Sequence, residues 1–353
     1  MKNIALLFLV MMTSLFFAQA QDFGQIVAGA VKDGNKYAAD YLRPFGEGEI
    51  YNLSRGWYST AKAHKLLGVD ISINAQFAIV PSGKENFTFN NSDYTSFKLN
   101  GSNTSASLPT FVGGSSSQVI NVTTTANGQN VTTSFTAPSG IGDNLKKNLS
   151  FLPTASPLPI AQVGVGLLKH TDIKIRYLPK KNFNDIEIGV MGLAIQHEFS
   201  DYLPFIKKVP FLHLSALAGY SSIDASYKPS FGTNASVQST DAVAGYKISS
   251  FTLQGIASAK FALFEIYAAI GYSKGSSTVD LNGNYSITYK TGNLPPNDKV
   301  IINQKDPIAL SYDGGGVSNT VGFRLNILIL KIYADYTFAK YNTMGVGMAL
   351  SFR

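Results

Sequence analysis

The chain has 353 residues, a formal net charge of +7, 14% charged and 12% aromatic residues, and no cysteine. The lack of cysteine excludes a disulfide framework and cysteine metal centres, and the excess positive charge is not gathered into the basic cluster that nucleic acid requires. Low charge combined with 23 Phe and 18 Tyr suits a β-barrel with lipid-facing strands and interfacial aromatics.

Residues 1–20 read as a signal peptide. Lys2 supplies the positive start, Ile4 to Phe17 the apolar stretch, and Ala18-Gln19-Ala20 the cleavage signal, so the mature chain is expected to begin at Gln21. Gln21 is not Cys, which argues against a lipoprotein anchor. No later stretch reaches the ~18 to 20 apolar residues of a membrane helix.

Residues 21–67 do not alternate. Phe23, Ile26, Val27, Ala30, Val31, Tyr37, Tyr41 and Leu42 fall at helical spacing, with Pro44, Gly46 and Gly48 as the expected stop, and the only tryptophan, Trp57, follows. This segment is expected to plug the lumen, with a periplasmic or capping position as the alternatives. Residues 68–353 form the barrel domain. Its first strand is Val69 to Val80. Residues 81–159 are rich in Asn, Ser, Thr and Gly, with β-prone pieces near Phe87, Tyr94, Val119 and Val131, a turn at Asn127-Gly128 and an end marked by Pro153, Pro157 and Pro159. The region reads as an extracellular excursion contributing two to four strands.

Alternation returns at Ala161. Outward-facing apolar sets are expected at Ala161–Leu167, Ile173–Tyr177, Ile186–Val190, Leu212–Tyr220, Phe251–Phe261, Phe264–Tyr272, Val321–Ile327 and Leu330–Phe338. The chain closes on Met344, Val346, Met348, Leu350 and Phe352, opposed by Thr343, Gly345, Gly347, Ala349 and Ser351. That small inward face leaves room for something bulky, and the N-terminal segment is the expected occupant. Connections near 168–171, 262–263 and 327–329 are tight, while 81–159, 227–245 and 275–316 are long and polar; 199–210 is a longer link on the tight side. Short turns on one side and long loops on the other predict an all-β fold, a transmembrane antiparallel up-and-down β-barrel of about 10–14 strands with an N-terminal helical plug.

Ten charged residues are expected to face the lumen. Lys174, Arg176, Lys260, Arg324 and Lys331 are positive, and Asp70, Asp172, Glu187, Glu265 and Asp335 are negative. Mixed signs suit paired charges in a narrow or plugged lumen rather than a strongly ion-selective pore. Lys331 with Asp335, and Asp172 with Lys174, are spaced to pair. Among the histidines His64, His170, His197 and His213, only His197, with Glu198 and Asp201 nearby, offers a base with an orienting carboxylate. No nucleophile elbow, phosphate loop or metal motif accompanies it. No catalytic residue, cofactor or metal is assigned.

Gly56-Trp57-Tyr58-Ser59-Thr60-Ala61-Lys62-Ala63-His64-Lys65, Gly164–Leu167 with Thr171–Pro179, and Ala334–Thr343 resemble an uncharacterised family, a domain of unknown function, of Bacteroidetes outer-membrane proteins. A looser similarity is to long-chain fatty-acid transporters, which also place an N-terminal hatch before a monomeric barrel. The resemblance implies a Gram-negative outer membrane and this fold, and transfers no catalytic residues. The expected partners are membrane lipid and lipopolysaccharide, together with the barrel assembly machinery through the C-terminal strand, for a monomeric barrel. The leading expectation is a plugged transport or ligand-binding barrel for a small or hydrophobic solute. The alternatives are a structural or adhesive barrel acting through residues 81–159, and a lipid-modifying enzyme around His197.

Overall fold

The computed structural model describes Ile26 and residues 31–126, 129–148, 154–183, 186–229, 237–291 and 298–352. The leader, the Asn127-Gly128 turn, Pro153 and the Pro295-Pro296 pair lie outside them. Ten antiparallel strands close into a barrel. They are β1 (Val69–Ile79), β2 (Ala155–Leu167), β3 (Thr171–Phe183), β4 (Ile186–Glu198) and β5 (Leu212–Tyr227). The second half is β6 (Val243–Phe261), β7 (Phe264–Asn282), β8 (Ile308–Ile327), β9 (Leu330–Phe338) and β10 (Thr343–Phe352). Each strand pairs with its neighbour in sequence, and β1 closes on β10 from Val69↔Phe352 to Ala78↔Thr343. The fold is therefore the all-β up-and-down barrel that the alternation predicts.

The exterior is apolar where the faces alternate: Ile71, Ile73, Leu253, Ile270, Val321 and Met348 are all exposed. Two aromatic levels bound this band. Phe211, Phe261, Phe264 and Phe323 lie at the short-turn end, where Phe211 meets Phe261 at 5.5 Å and Phe264 stacks on Phe323 at 6.3 Å. Tyr177, Tyr220, Phe251, Tyr272 and Phe338 project outward further along their strands. On β7 the two levels are the eight steps from Phe264 to Tyr272, roughly 26 Å along the tilted strand at a rise of ~3.3 Å per residue.

Polarity misplaces the ends of several strands. Residues 275–316 look like loop, yet β7 continues to Asn282 and β8 begins at Ile308, in register from Phe264↔Leu325 to Leu281↔Ile308. β5 and β6 likewise stay paired to Tyr227↔Ala244. These strands stand well beyond the ~9 to 11 residues of a bilayer crossing, so both of their outer faces meet polar surroundings and the apolar half of the pattern disappears. At the other margin, β2 begins at Ala155 and runs through Pro157 and Pro159, residues expected to lie outside any strand.

Those prolines mark an irregularity of the wall. β2 and β3 pair only from Val163↔Ile175 to Leu167↔Thr171, while β2 stays paired to β1 as far as Ala155 and β3 to β4 as far as Phe183. Continued in the same register, Pro159 would face Pro179. Neither residue has an N–H to donate, so the ladder stops and a seam opens in the upper half of the apolar band.

The lumen holds helix α1 (Val31–Leu53), which runs through Pro44, Gly46 and Gly48 instead of stopping there. Packing on the barrel and its cap outweighs the ~3 kcal/mol that an interior proline costs. Tyr41 and Phe45 contact Phe111 at 6.0 and 4.9 Å. A Cβ on Gly46 would lie 2.5 Å from the Tyr312 ring, so only glycine allows the helix this close to the wall.

The cap is built from the described residues between 81 and 154. Asn86–Asn90 pairs with Ser105–Pro109, Phe97–Leu99 with Val119–Ala126, and the latter with Gln129–Thr136; α2 (Gly142–Asn148) follows. Among the described residues five short strands form there, none of them in the wall. Their apolar sides enclose Tyr37, Tyr41 and Phe45 of α1 together with Phe89, Phe97 and Phe135. Among the described residues no helix is long and apolar enough to cross a membrane.

Candidate functional site

After Leu53 the chain leaves helical geometry and descends through the barrel, meeting the backbone of a wall strand only at Leu67 and Gly68, which bond to Gly166 of β2. Wall side chains take that role. Arg176 donates to Leu53 O at 2.9 Å and Arg55 O at 2.6 Å, and its guanidinium lies 3.5 Å from the centroid of the Trp57 ring. Lys174 donates to Trp57 O at 2.8 Å and to Gln196 Oε1 at 2.7 Å; Gln196 in turn donates to Thr60 O at 3.0 Å. Acceptors hold the amides below. Ala61 N–H donates to Ser258 Oγ at 3.0 Å, Ala63 N–H to Glu198 at 2.8 Å and His64 N–H to Asp172 at 3.0 Å. Cations thus meet carbonyls and carboxylates meet N–H groups, which is the physical use of a wall with both signs.

The remaining expected lumen residues divide by height. Glu265 accepts a hydrogen bond from Thr60 and Arg324 donates to Ser59 at 3.2 Å, so both join the plug contacts. Asp335 accepts from the Tyr267 hydroxyl at 2.9 Å. Asp70 is half-buried on the inward side of β1. Lys260 is exposed at the short-turn rim, and Lys331 donates to Leu328 O beside it. Neither expected like-strand pair forms. Asp172 lies 2.9 Å from His64 Nδ1 and Lys174 holds backbone, because a closer partner arrives from the plug.

Glu187 is a correction. It is exposed, and Ile188 and Val190 instead turn inward against the cluster of Ile50, Leu53, Ile223 and Ile248, while Met191 and Leu193 face out. At this height the lumen contains the apolar end of α1, so an inward apolar residue is buried as well as an outward one. Alternation alone does not say which face is which.

The small inward face of β10 is corrected in part. A Cβ on Gly347 would lie 2.5 Å from Tyr333, and one on Gly345 would lie 2.6 Å from Asp335. The adjacent strand β9 fills the space at these two glycines, and the N-terminal segment reaches this face only lower down, where His64 Nε2 lies 3.1 Å from Ser351 Oγ.

Beside the plug, Gly56, Tyr58, Asp70, Lys174 and Arg324 line a cavity of about 20 Å³, room for about one water. At the short-turn end a larger cavity, about 530 Å³, opens between Lys62–Leu66, the β2–β3 turn and the 198–213 link. Three histidines reach it. His64 is held by Asp172 as above, His213 Nδ1 lies 2.7 Å from Glu198, and His170 lies 3.4 Å from Asp201. His197 does not share this arrangement: its Nδ1 lies 2.9 Å from Thr171 Oγ1 and its ring 5.5 Å from Tyr202. Glu198, the next residue, turns to the opposite face of β4, so it does not orient His197. No described group of three or more His, Asp or Glu could hold a metal ion.

Sequence reading missed Gln162, Gln196, Ser258 and Glu198. The inward parity of Gln162 and Ser258 was legible, but uncharged residues carry no sign that they serve as sockets; beyond Met191 the alternation blurs, which hid Gln196 and Glu198.

A model described as "Family of unknown function (DUF6588)" matches residues 1–352. The chain belongs to that family. No curated protein matches the sequence. Among solved structures, the attachment invasion locus protein Ail of Yersinia pestis is similar at 9% identity and a TM-score of 0.26, covering 82% of this chain and 100% of that one. The translocator domain of the autotransporter NalP from Neisseria meningitidis is similar at 11% identity and TM-score 0.25, covering 82% and 90%. The outer membrane protease OmpT from Escherichia coli is similar at 11% and 0.26, covering 81% and 96%. Likenesses this distant say nothing about activity.

Proposed function

We propose that the barrel spans a Gram-negative outer membrane, short turns toward the periplasm, and works as a plugged, gated passage for a small solute. The apolar band between two aromatic levels supports the membrane position. The observation that carries the gating reading is the way the segment between α1 and Leu67 is held: chiefly by side chains of a polar wall, with a backbone bond to a wall strand only where Leu67 donates to Gly166 O, just before β1. When the segment leaves, water can satisfy Lys174, Arg176, Gln196 and Ser258, so the wall has an open state that costs no orphaned polar groups. Arg55 points the same way. It is buried, and none of its guanidinium N–H groups has a hydrogen-bond partner within the protein, which penalises the closed state.

Planar-bilayer conductance and liposome uptake test the reading. The full chain is expected to be closed or to open rarely, and the double variant Lys174→Met/Arg176→Met, or removal of residues 21–67, is expected to conduct. If no form conducts or admits any solute while the barrel stays folded, the gated passage is wrong. The ordered cap over α1 favours a second reading, a surface-binding barrel. Deletion of residues 84–148 with unchanged cell-surface binding would count against that one.

A further inference from the structure

We infer that the cavity at the short-turn end is a binding site for an acidic amphiphile, a molecule with one anionic head on an alkyl body. Two sets of residues lead there. Leu66, Leu167, Ile206, Val209 and Leu212 give the 530 Å³ space an apolar lining, and this volume suits one small ligand. Lys62, Lys65, Lys169 and Lys207 line the same space and are exposed.

The charges in the cavity are not balanced against each other. Glu198 is engaged by His213 Nδ1 at 2.7 Å and by the Ala63 N–H at 2.8 Å, and Asp201 sits 3.4 Å from His170. Among the described residues none of the four lysines lies within ion-pair distance of a carboxylate. A neutral apolar ligand would leave that cationic rim unused, and a bare anion would leave the leucines wet. An anionic head with an alkyl chain satisfies both. The surroundings are suited to delivering one: Leu168, Tyr202, Phe205 and Phe211 are exposed around the mouth, at the level of the lower aromatic ring.

The site also touches the plug, since Lys62 to Leu66, which lie shortly before β1, form one wall of the cavity. The inference rests on the proposed orientation only for where the ligand comes from; binding itself requires no gating.

The test uses the full chain in nanodiscs of zwitterionic lipid, with empty nanodiscs subtracted. Octyl phosphate, octyl glucoside and inorganic phosphate are titrated by calorimetry. Saturable binding of one octyl phosphate per barrel is expected, at least tenfold tighter than either of the others. Lys65→Gln/Lys169→Gln should weaken it about five- to tenfold, as expected for two partly screened charges, and Lys299→Gln at the far end should not. Equal binding of inorganic phosphate would make this an anion site only, equal binding of octyl glucoside a greasy cavity only, and an unaffected double lysine variant would place the ligand elsewhere; each overturns the inference, as does the absence of saturable binding. Repeating the titration with an anionic phospholipid in the disc separates the sources: competition identifies leaflet lipid, and unchanged affinity a soluble amphiphile. A barrel that binds octyl phosphate but never conducts keeps this site and loses the gated passage, and the reverse result does the opposite.

Discussion

The Arg176 guanidinium lies 3.5 Å from the centroid of the Trp57 ring, and its N–H groups reach the carbonyls of Leu53 and Arg55. One residue of β3 therefore holds the point where α1 ends and the irregular descent begins. Arg176→Met should free residues 54–67 at a cost of about 3–5 kcal/mol, because two buried charge-assisted bonds and the ring contact go together. Trp57 is the chain's single tryptophan and is buried, so its fluorescence reports the change directly. A red-shifted, acrylamide-quenchable emission with an intact barrel is the expected result; an unshifted spectrum would show that Arg176 is not the anchor.

Arg55 should behave in the opposite sense. Replacing this buried guanidinium, which makes no hydrogen bond and has only a longer-range attraction to Asp335, by Met is expected to stabilise the closed barrel by about 1–4 kcal/mol. Channel openings in the bilayer should become rarer. A destabilised Arg55→Met barrel would mean that the guanidinium has a compensating partner in solution.

Gly46→Val should push α1 off β8, since a Cβ there meets the Tyr312 ring at 2.5 Å. The expected cost is about 1–3 kcal/mol, as for other overpacked cores. Combining it with Tyr312→Ala should recover part of the loss in a double-mutant cycle read by heat-induced gel mobility. Additive losses would refute the contact.

The cap should loosen in acid. Asp33, at the start of α1, accepts hydrogen bonds from Ser96 Oγ at 2.7 Å and Thr95 Oγ1 at 3.0 Å. Burial works against its charge, but the Ser96 and Thr95 bonds outweigh that and hold its carboxyl below the usual value. A carboxyl depressed on folding stabilises the docked cap above its unfolded pKa of ~3.9 and loses that contribution as pH falls through the folded value. Amide exchange of residues 94–99 should therefore accelerate below about pH 4, and Asp33→Asn should remove that dependence.

The seam predicts a gain. Pro159→Val/Pro179→Val restores two N–H donors at facing positions, so the β2–β3 ladder should extend beyond Val163↔Ile175. Slower amide exchange in residues 176–183 and added stability of about 1–2 kcal/mol are expected. Unchanged exchange would mean that the strands diverge for another reason.

The sequence by itself determined which residues could face lipid. From Val69 to Phe352 the period-two pattern, the tight turns at 168–171 and 262–263, and the terminal strand of five bulky and five small residues dictate an antiparallel barrel, because local alternation is all that a wall requires. Even the balance of inward charge was legible as the sign of a filled lumen. What fills it was decided by tertiary structure. Arg176 and Lys174 serve backbone carbonyls more than a hundred residues away, and such a partner leaves no mark on the strand that carries the charge. The same holds for Glu187 and Val190: their faces depend on the apolar end of α1 arriving at that height. Gly345 and Gly347 announced a space, but the packing of Tyr333 and Asp335 from the next strand settled whose it was. Alternation specifies a wall. Only the folded chain specifies what stands on each side of it.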